Sequence, residues 1–175
     1  WMDRFALEHP DQAPARDEDD ALSETLFGKG HAHEAAVVAA FEAQGLSVTK
    51  IIDSSLGKDA GFNLKHAATL EAMHAGADII YQAALEHSHF RGYADFLVKV
   101  RNAEGQTSSL GDYHYEVWDT KLAKAVKPYF IIQLCMYSEM IEPMQGVRPQ
   151  RIVISLGNGV NESLRTEDYF YYYRA

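Results

Sequence analysis

Residues 115–141, YEVWDTKLAKAVKPYFIIQLCMYSEMI, set two periodicities side by side. Tyr115 to Lys121 reads as a strand, and successive strand side chains point to opposite faces. Val117, Asp119 and Lys121 therefore share one face, and Glu116, Trp118 and Thr120 share the other. Asp119 and Lys121 stand about 6.6 Å apart along the chain, from ~3.3 Å per residue. Pro128 is tolerated at a first helical position, and the spacing predicts a helix from there to about Glu142. That helix carries Gln133 and Tyr137, four apart and so on one face, within an otherwise apolar surface. An acid and an amine at a strand end, followed by a polar pair on the next helix, read as one site. The structural alternatives are a surface ion pair for Asp119 and Lys121, and a core aromatic and buried amide with satisfied polar ends for Tyr137 and Gln133.

The preceding residues strengthen the functional reading. DIIYQAALEHSHF (78–90) and RGYADFLVKVR (91–101) read as antiparallel strands across a short turn, and NAEGQTSSLGD (102–112) as the hairpin loop into YHYEVWDTK (113–121). Asp95 lies among Tyr93, Phe96, Leu97 and Val98, with Gly92 three residues before it. A lone acid in so apolar a strand is costly to bury unless it is paired or binds a metal. If the two strands are neighbours, Asp95 and Asp119 converge, and two close carboxylates repel without a cation between them. A salt bridge from Asp95 to Lys121 is the plainer alternative. Carboxylates hold hard divalent cations through oxygen, and an adjacent ammonium can order a water or steady charge growing on a phosphate.

Further out, LFGKGHAHEAAVVAAFEAQG (26–45) has helical apolar spacing through Val37, Val38 and Phe41, with Gly45 as its stop. SVTKIID (47–53) suggests a brief strand, LKHAATLEAMHAGA (64–77) a helix closed at Gly76, PMQGVRPQ (143–150) a loop and RIVISLG (151–157) a buried strand. ESLRTEDYFYYYR (162–174) is left open between strand and short helix, with a Tyr-rich strand favoured over rings offered for base stacking. This mixture predicts an α/β fold with a central sheet flanked by helices. Residues 1–24, acidic and proline-bearing, read as an N-terminal loop or extension, and 25–175 as one domain cut from a longer protein.

A net charge of −9 excludes bulk electrostatic gripping of nucleic acid, so any polyanion site must be local or rely on bound cations. The single cysteine, Cys135, excludes an intrachain disulfide and a four-thiolate zinc or iron–sulfur cluster, and fits a cytoplasmic setting. No apolar run is long enough to span a bilayer. His87 and His89 lack a clear third ligand and read as exposed or substrate-facing, and Lys124 and Lys127 as solvated.

GYAD (92–95), DTK (119–121) and QLCMY (133–137), in this order, resemble the Gly-x-x-Asp, Asp-x-Lys and Gln-x-x-x-Tyr motifs of the PD-(D/E)XK nuclease superfamily, in its RecB-like branch. The likeness runs from about Phe27 to Arg174. It implies a restriction-endonuclease-like core, a mixed sheet flanked by helices. It also implies hydrolysis of phosphodiester bonds in DNA, with Mg²⁺ or Mn²⁺ held by His33, Asp95, Asp119 and the Thr120 carbonyl. The histidine assignment rests on GKGHAHE (28–34) alone, and Glu34 is an alternative metal-approaching residue. In the implied mechanism Lys121 orients the attacking water or stabilises the transition state, Gln133 positions Lys121 or substrate, and Tyr137 supports the wall. Members of this branch are often joined to a helicase or an RNase-H-like domain, which makes such a domain an expected partner. The competing readings are a catalytically inactive nucleic-acid-binding or scaffolding module, and a metal hydrolase of small phosphate esters.

Overall fold

The computed structural model describes residues 21–51 and 61–175, and most of the extension expected over 1–24 lies outside them. The fold is α/β, with a six-stranded mixed sheet and helices on both of its faces. Helix α1 spans Ala21–Ala43, β1 Val48–Lys50, α2 Phe62–His74, β2 Ile79–His87, β3 Phe90–Arg101 and β4 Tyr113–Lys121. Helix α3 spans Pro128–Gln145, β5 Arg151–Leu156, β6 Asn161–Arg165 and α4 Glu167–Arg174. Spatial order follows chain order, β1 to β6. The central meander β2–β3–β4 is antiparallel, β1 joins β2 in parallel, β5 joins β4 in parallel, and β6 turns back along β5.

Two departures from the sequence expectation concern the C-terminal third. Residues 162–174 are neither one strand nor one helix, because β6 ends at Arg165 and the tyrosine-rich run forms α4. A helical turn lets Phe170 bury while Tyr171 and Tyr172 face outward, whereas a strand would have put alternate rings against the sheet. Helix α3 also runs past Glu142 and through Pro143 before Gly146 ends it in the left-handed conformation, φ 72°. The added turn delivers Gln145 to the interior, where it is fully buried.

The core has two layers. Under α2, α3 and α4 lie Ile80, Ala83, Leu85, Ala94, Leu97, Tyr115, Val117, Ile152 and Ile154. Under α1 lie Ile79, Phe96 and Val98, with Tyr81 and Trp118 against them. Strict alternation assigns Ile80 and Leu97 to the first layer, but it would then assign Ala83 and Ala94 to the second. Both strands change phase at the same place, between Tyr81 and Ala83 on β2 and between Ala94 and Phe96 on β3. The pairing register continues unchanged on either side, with Tyr81 opposite Phe96 and Ala83 opposite Ala94. Gln82 and Asp95 are the residues at the switch, the step at which the pairing is interrupted, and Gln82 has φ 55°.

Candidate active site

The pairing of β3 with β4 stops at Phe96 and Trp118. One step further, the antiparallel register sets Asp95 across from Asp119. Here the strands part, because β4 continues against β5 through Lys121. The Thr120 amide that a longer ladder would use donates instead to Asp95 Oδ2 at 2.8 Å, and the Thr120 hydroxyl donates to the same oxygen at 2.7 Å. Asp95 thus stands at the split between the two sheet faces, held by a neighbour whose hydroxyl and amide are both committed to it.

Asp119 is only 2 % exposed. Burial, and then the charge of Asp95, push its carboxyl up to about 7, against the opposing pull of Lys121. The Lys121 ammonium forms an ion pair with Asp119 Oδ2 at 2.7 Å. Among the described residues no backbone or hydroxyl donor supplements that ammonium at this oxygen. Lys121 Nζ also sits 5.3 Å from the centre of the Phe130 ring at the start of α3. The alternative bridge from Asp95 to Lys121 is therefore not the arrangement found: Lys121 pairs with Asp119, and Asp95 with Thr120. Nor is the Asp119–Lys121 pair a solvated surface contact, since its acid is buried.

The third motif meets the first. Tyr137 is buried on α3, and its ring lies so close to Gly92 that a Cβ there would fall 2.9 Å from Cε1. Glycine at 92 therefore gives the ring its place beside β3. Gln133 Nε2 donates to the Tyr137 hydroxyl at 3.4 Å. Burial raises the tyrosine's pKa, and the charges of Asp119 and Asp95 add to the rise, which puts the hydroxyl within their field.

His33 and Glu34 come from α1 on the opposite face. His33 Nε2 lies 3.0 Å from the carbonyl of Ser155, the residue paired with Thr120 on β5. Glu34 Oε2 accepts from the Tyr81 hydroxyl at 2.7 Å and from Gln82 Nε2 at 3.1 Å. Tyr81 is paired with Phe96, the neighbour of Asp95, so Glu34 is linked toward the acidic pair by way of β2. The sequence reading did not include Tyr81 and Gln82, although two polar side chains in IIYQAA were a visible signal. His87, His89, Lys124 and Lys127 are exposed.

Among the described residues no three His, Cys, Asp or Glu side chains are gathered as a ready-made metal cage. Mg²⁺, however, keeps several waters and takes only one or two carboxylates from a protein. Two facing carboxylates, one of them buried and sharing a single ammonium, fit such an ion by chemistry and by charge. Asp95, Asp119 and Lys121 sum to one negative charge when all are ionised, and nearby Glu34 makes it two.

Two cavities have walls that do not include Asp95, Asp119 or Lys121. One of about 520 Å³ is lined by Arg148, Arg151 and Arg165 at the start of β5, the end remote from Lys121. Another, of about 480 Å³, lies between α1 and the ends of β4 and β5, with His33, Phe41 and Trp118 in its wall. No family model matches the chain, and no curated protein matches it.

Proposed function

We propose that this domain is a divalent-metal-dependent nuclease that hydrolyses phosphodiester bonds in DNA, built on a restriction-endonuclease-like core of the RecB-like type. The observation that carries the reading is the Asp119 carboxylate. It is buried, opposed by Asp95, and met at Oδ2 by the Lys121 ammonium 2.7 Å away. Two acids held this close share one ammonium, which leaves a negative charge that a cation would neutralise. The motif order GYAD, DTK and QLCMY supports the same assignment, since the three segments meet around these acids.

Asp95, Asp119 and the Thr120 carbonyl would hold Mg²⁺ or Mn²⁺. When bound, such an ion polarises a phosphate oxygen and lowers the pKa of a coordinated water. Thr120 fixes the Asp95 carboxylate through two donors, so the acid is oriented before any ligand arrives. Lys121 keeps its ammonium beside Asp119, where it orders the attacking water or meets charge on the phosphate. Tyr137 and Gln133 close the wall on the α3 side, with Gln133 the more exposed of the two and free to meet substrate. His33 Nε2 is engaged by the Ser155 carbonyl, which leaves Nδ1 as the ring nitrogen that would meet a metal.

The test is cleavage of single- and double-stranded DNA with Mg²⁺ or Mn²⁺, with Lys121→Ala as control. Removing one transition-state charge is expected to cost roughly 100-fold or more in rate. Equal cleavage by both proteins would trace the activity to a contaminant. No cleavage by either would favour the binding module, and faster turnover of a small phosphate ester than of a polymer would favour the ester hydrolase.

A further inference from the structure

We propose that Gln82 is a positioning residue, whose left-handed backbone turns its carboxamide onto Glu34 and holds that carboxylate at the metal-binding end of the sheet. The inference rests on the nuclease reading above. Gln82 has φ 55° in the middle of a nine-residue strand. Outside glycine, asparagine and aspartate, residues rarely adopt this conformation, and the strain persists only where the surroundings impose it. The other non-glycine residue with positive φ among those described, Ser88, lies in the two-residue turn between β2 and β3, where positive φ is ordinary. Gln82 has no such excuse.

Three observations say what the strain achieves. Gln82 lies opposite Asp95 in the β2–β3 register, at the step where both strands exchange their faces. With a regular strand, Tyr81 and Gln82 would project to opposite sides of the sheet. With the left-handed residue, both bring their polar ends to one oxygen, Glu34 Oε2. The third is the company Glu34 keeps: its partner Tyr81 is paired across the strands with Phe96, the residue next to Asp95. The kink at Gln82 therefore ties an acid from α1 to the acidic pair at the split of β3 and β4.

The experiment uses the whole chain with Gln82→Gly and Gln82→Asn. Mn²⁺ binding is measured by titration calorimetry, cleavage of a single-stranded oligonucleotide across a range of Mn²⁺ concentrations, and the melting temperature without metal. Glycine accepts the left-handed backbone without a side-chain penalty but removes the carboxamide. Gln82→Gly is expected to melt no lower than wild type, yet to bind Mn²⁺ about tenfold more weakly, as loss of an outer-shell partner does. Gln82→Asn keeps the carboxamide on a residue that tolerates positive φ, and is expected to recover most of that affinity. Wild-type Mn²⁺ affinity in Gln82→Gly would overturn the inference, as would equal falls in melting temperature for both variants. Metal binding by the wild type without cleavage would sink the nuclease reading and leave the variants' affinities to decide the role of Gln82. Absence of both binding and cleavage in the wild type would sink both.

Discussion

Strand β4 is served by two glutamines of the same helix, and they do opposite things. Near its start, before β5 begins to pair at Val117, the strand edge would be bare. Gln145 fills the gap by accepting from the Tyr115 amide at 2.8 Å and donating to the Tyr115 carbonyl at 3.1 Å. Its own second N–H goes to the Val147 carbonyl, so the Gln145 carboxamide is fully used. Near the other end, Gln133 reaches the Tyr137 hydroxyl, at 3.4 Å, and leaves Asp119 Oδ2 to the Lys121 ammonium. Three turns of one helix separate a backbone gap closed by an amide from an acidic pair that shares one ammonium. Two close carboxylates repel unless a proton or a cation comes between them. The first end is finished by the chain itself, and the second keeps a charge that a bound cation would balance.

The contrast can be broken at several points. Asp119→Asn should cost the most in activity, roughly 100-fold or more in cleavage rate. It should not lower the melting temperature at pH 8, because a neutral amide replaces an acid that burial disfavours. A variant both inactive and unstable would show that Asp119 is structural. Gln145→Ala should do the reverse. It strands two buried backbone groups and should cost about 2–4 kcal/mol in urea denaturation, with Mn²⁺ affinity unchanged in the folded fraction.

Glu116, on the other face of β4, sharpens the meaning of burial alone. Burial pushes it up from 4.5 to about 7, and the Arg151 amide and charge only partly offset this. Because the folded state keeps a proton that the unfolded state has already lost, stability falls as pH rises from about 4.5 through about 7. Glu116→Gln should flatten that slope and raise stability at pH 8 by on the order of 2 kcal/mol, with cleavage unaffected. A loss of activity on that substitution would mean that the two carboxylates of β4 are coupled. The smallest effect belongs to Gln133→Ala. It should leave stability within about 0.5 kcal/mol of wild type, and slow cleavage several-fold. Gln133→Ala behaving like Gln145→Ala in a melting experiment would erase the distinction between the two glutamines.

Much of the architecture was readable from periodicity. The meander of three strands, the helix opened by Pro128 and the buried strand at 151–156 follow from alternation, helical spacing and turn residues, all local in the chain. The C-terminal tyrosine run was not readable, because a stretch rich in rings suits a strand or a helix and only the docking of Phe170 decides. The added turn of α3 was hidden for a similar reason: Pro143 signals an end, and the reward for continuing lies 30 residues away, at Tyr115.

The candidate site divides along the same line. Asp95, Asp119 and Lys121 stood out because acids and an amine at strand positions in apolar company have few ordinary explanations, and Gly92 with Tyr137 could be paired by motif. Which acid Lys121 touches, which donors hold Asp95, and where the histidine of α1 points depend on contacts between segments far apart in the chain. The phase change at Gln82 is the clearest case. Composition permits a plain alternating strand there, whereas the left-handed torsion of Gln82, with its carboxamide held by Glu34 of α1, stands where the faces of β2 reverse. Patterning within a segment sets its kind and its apolar side, since those depend on neighbours a few residues apart. The direction of a polar group at the meeting of four segments is set by packing and long-range hydrogen bonds, which no single segment contains.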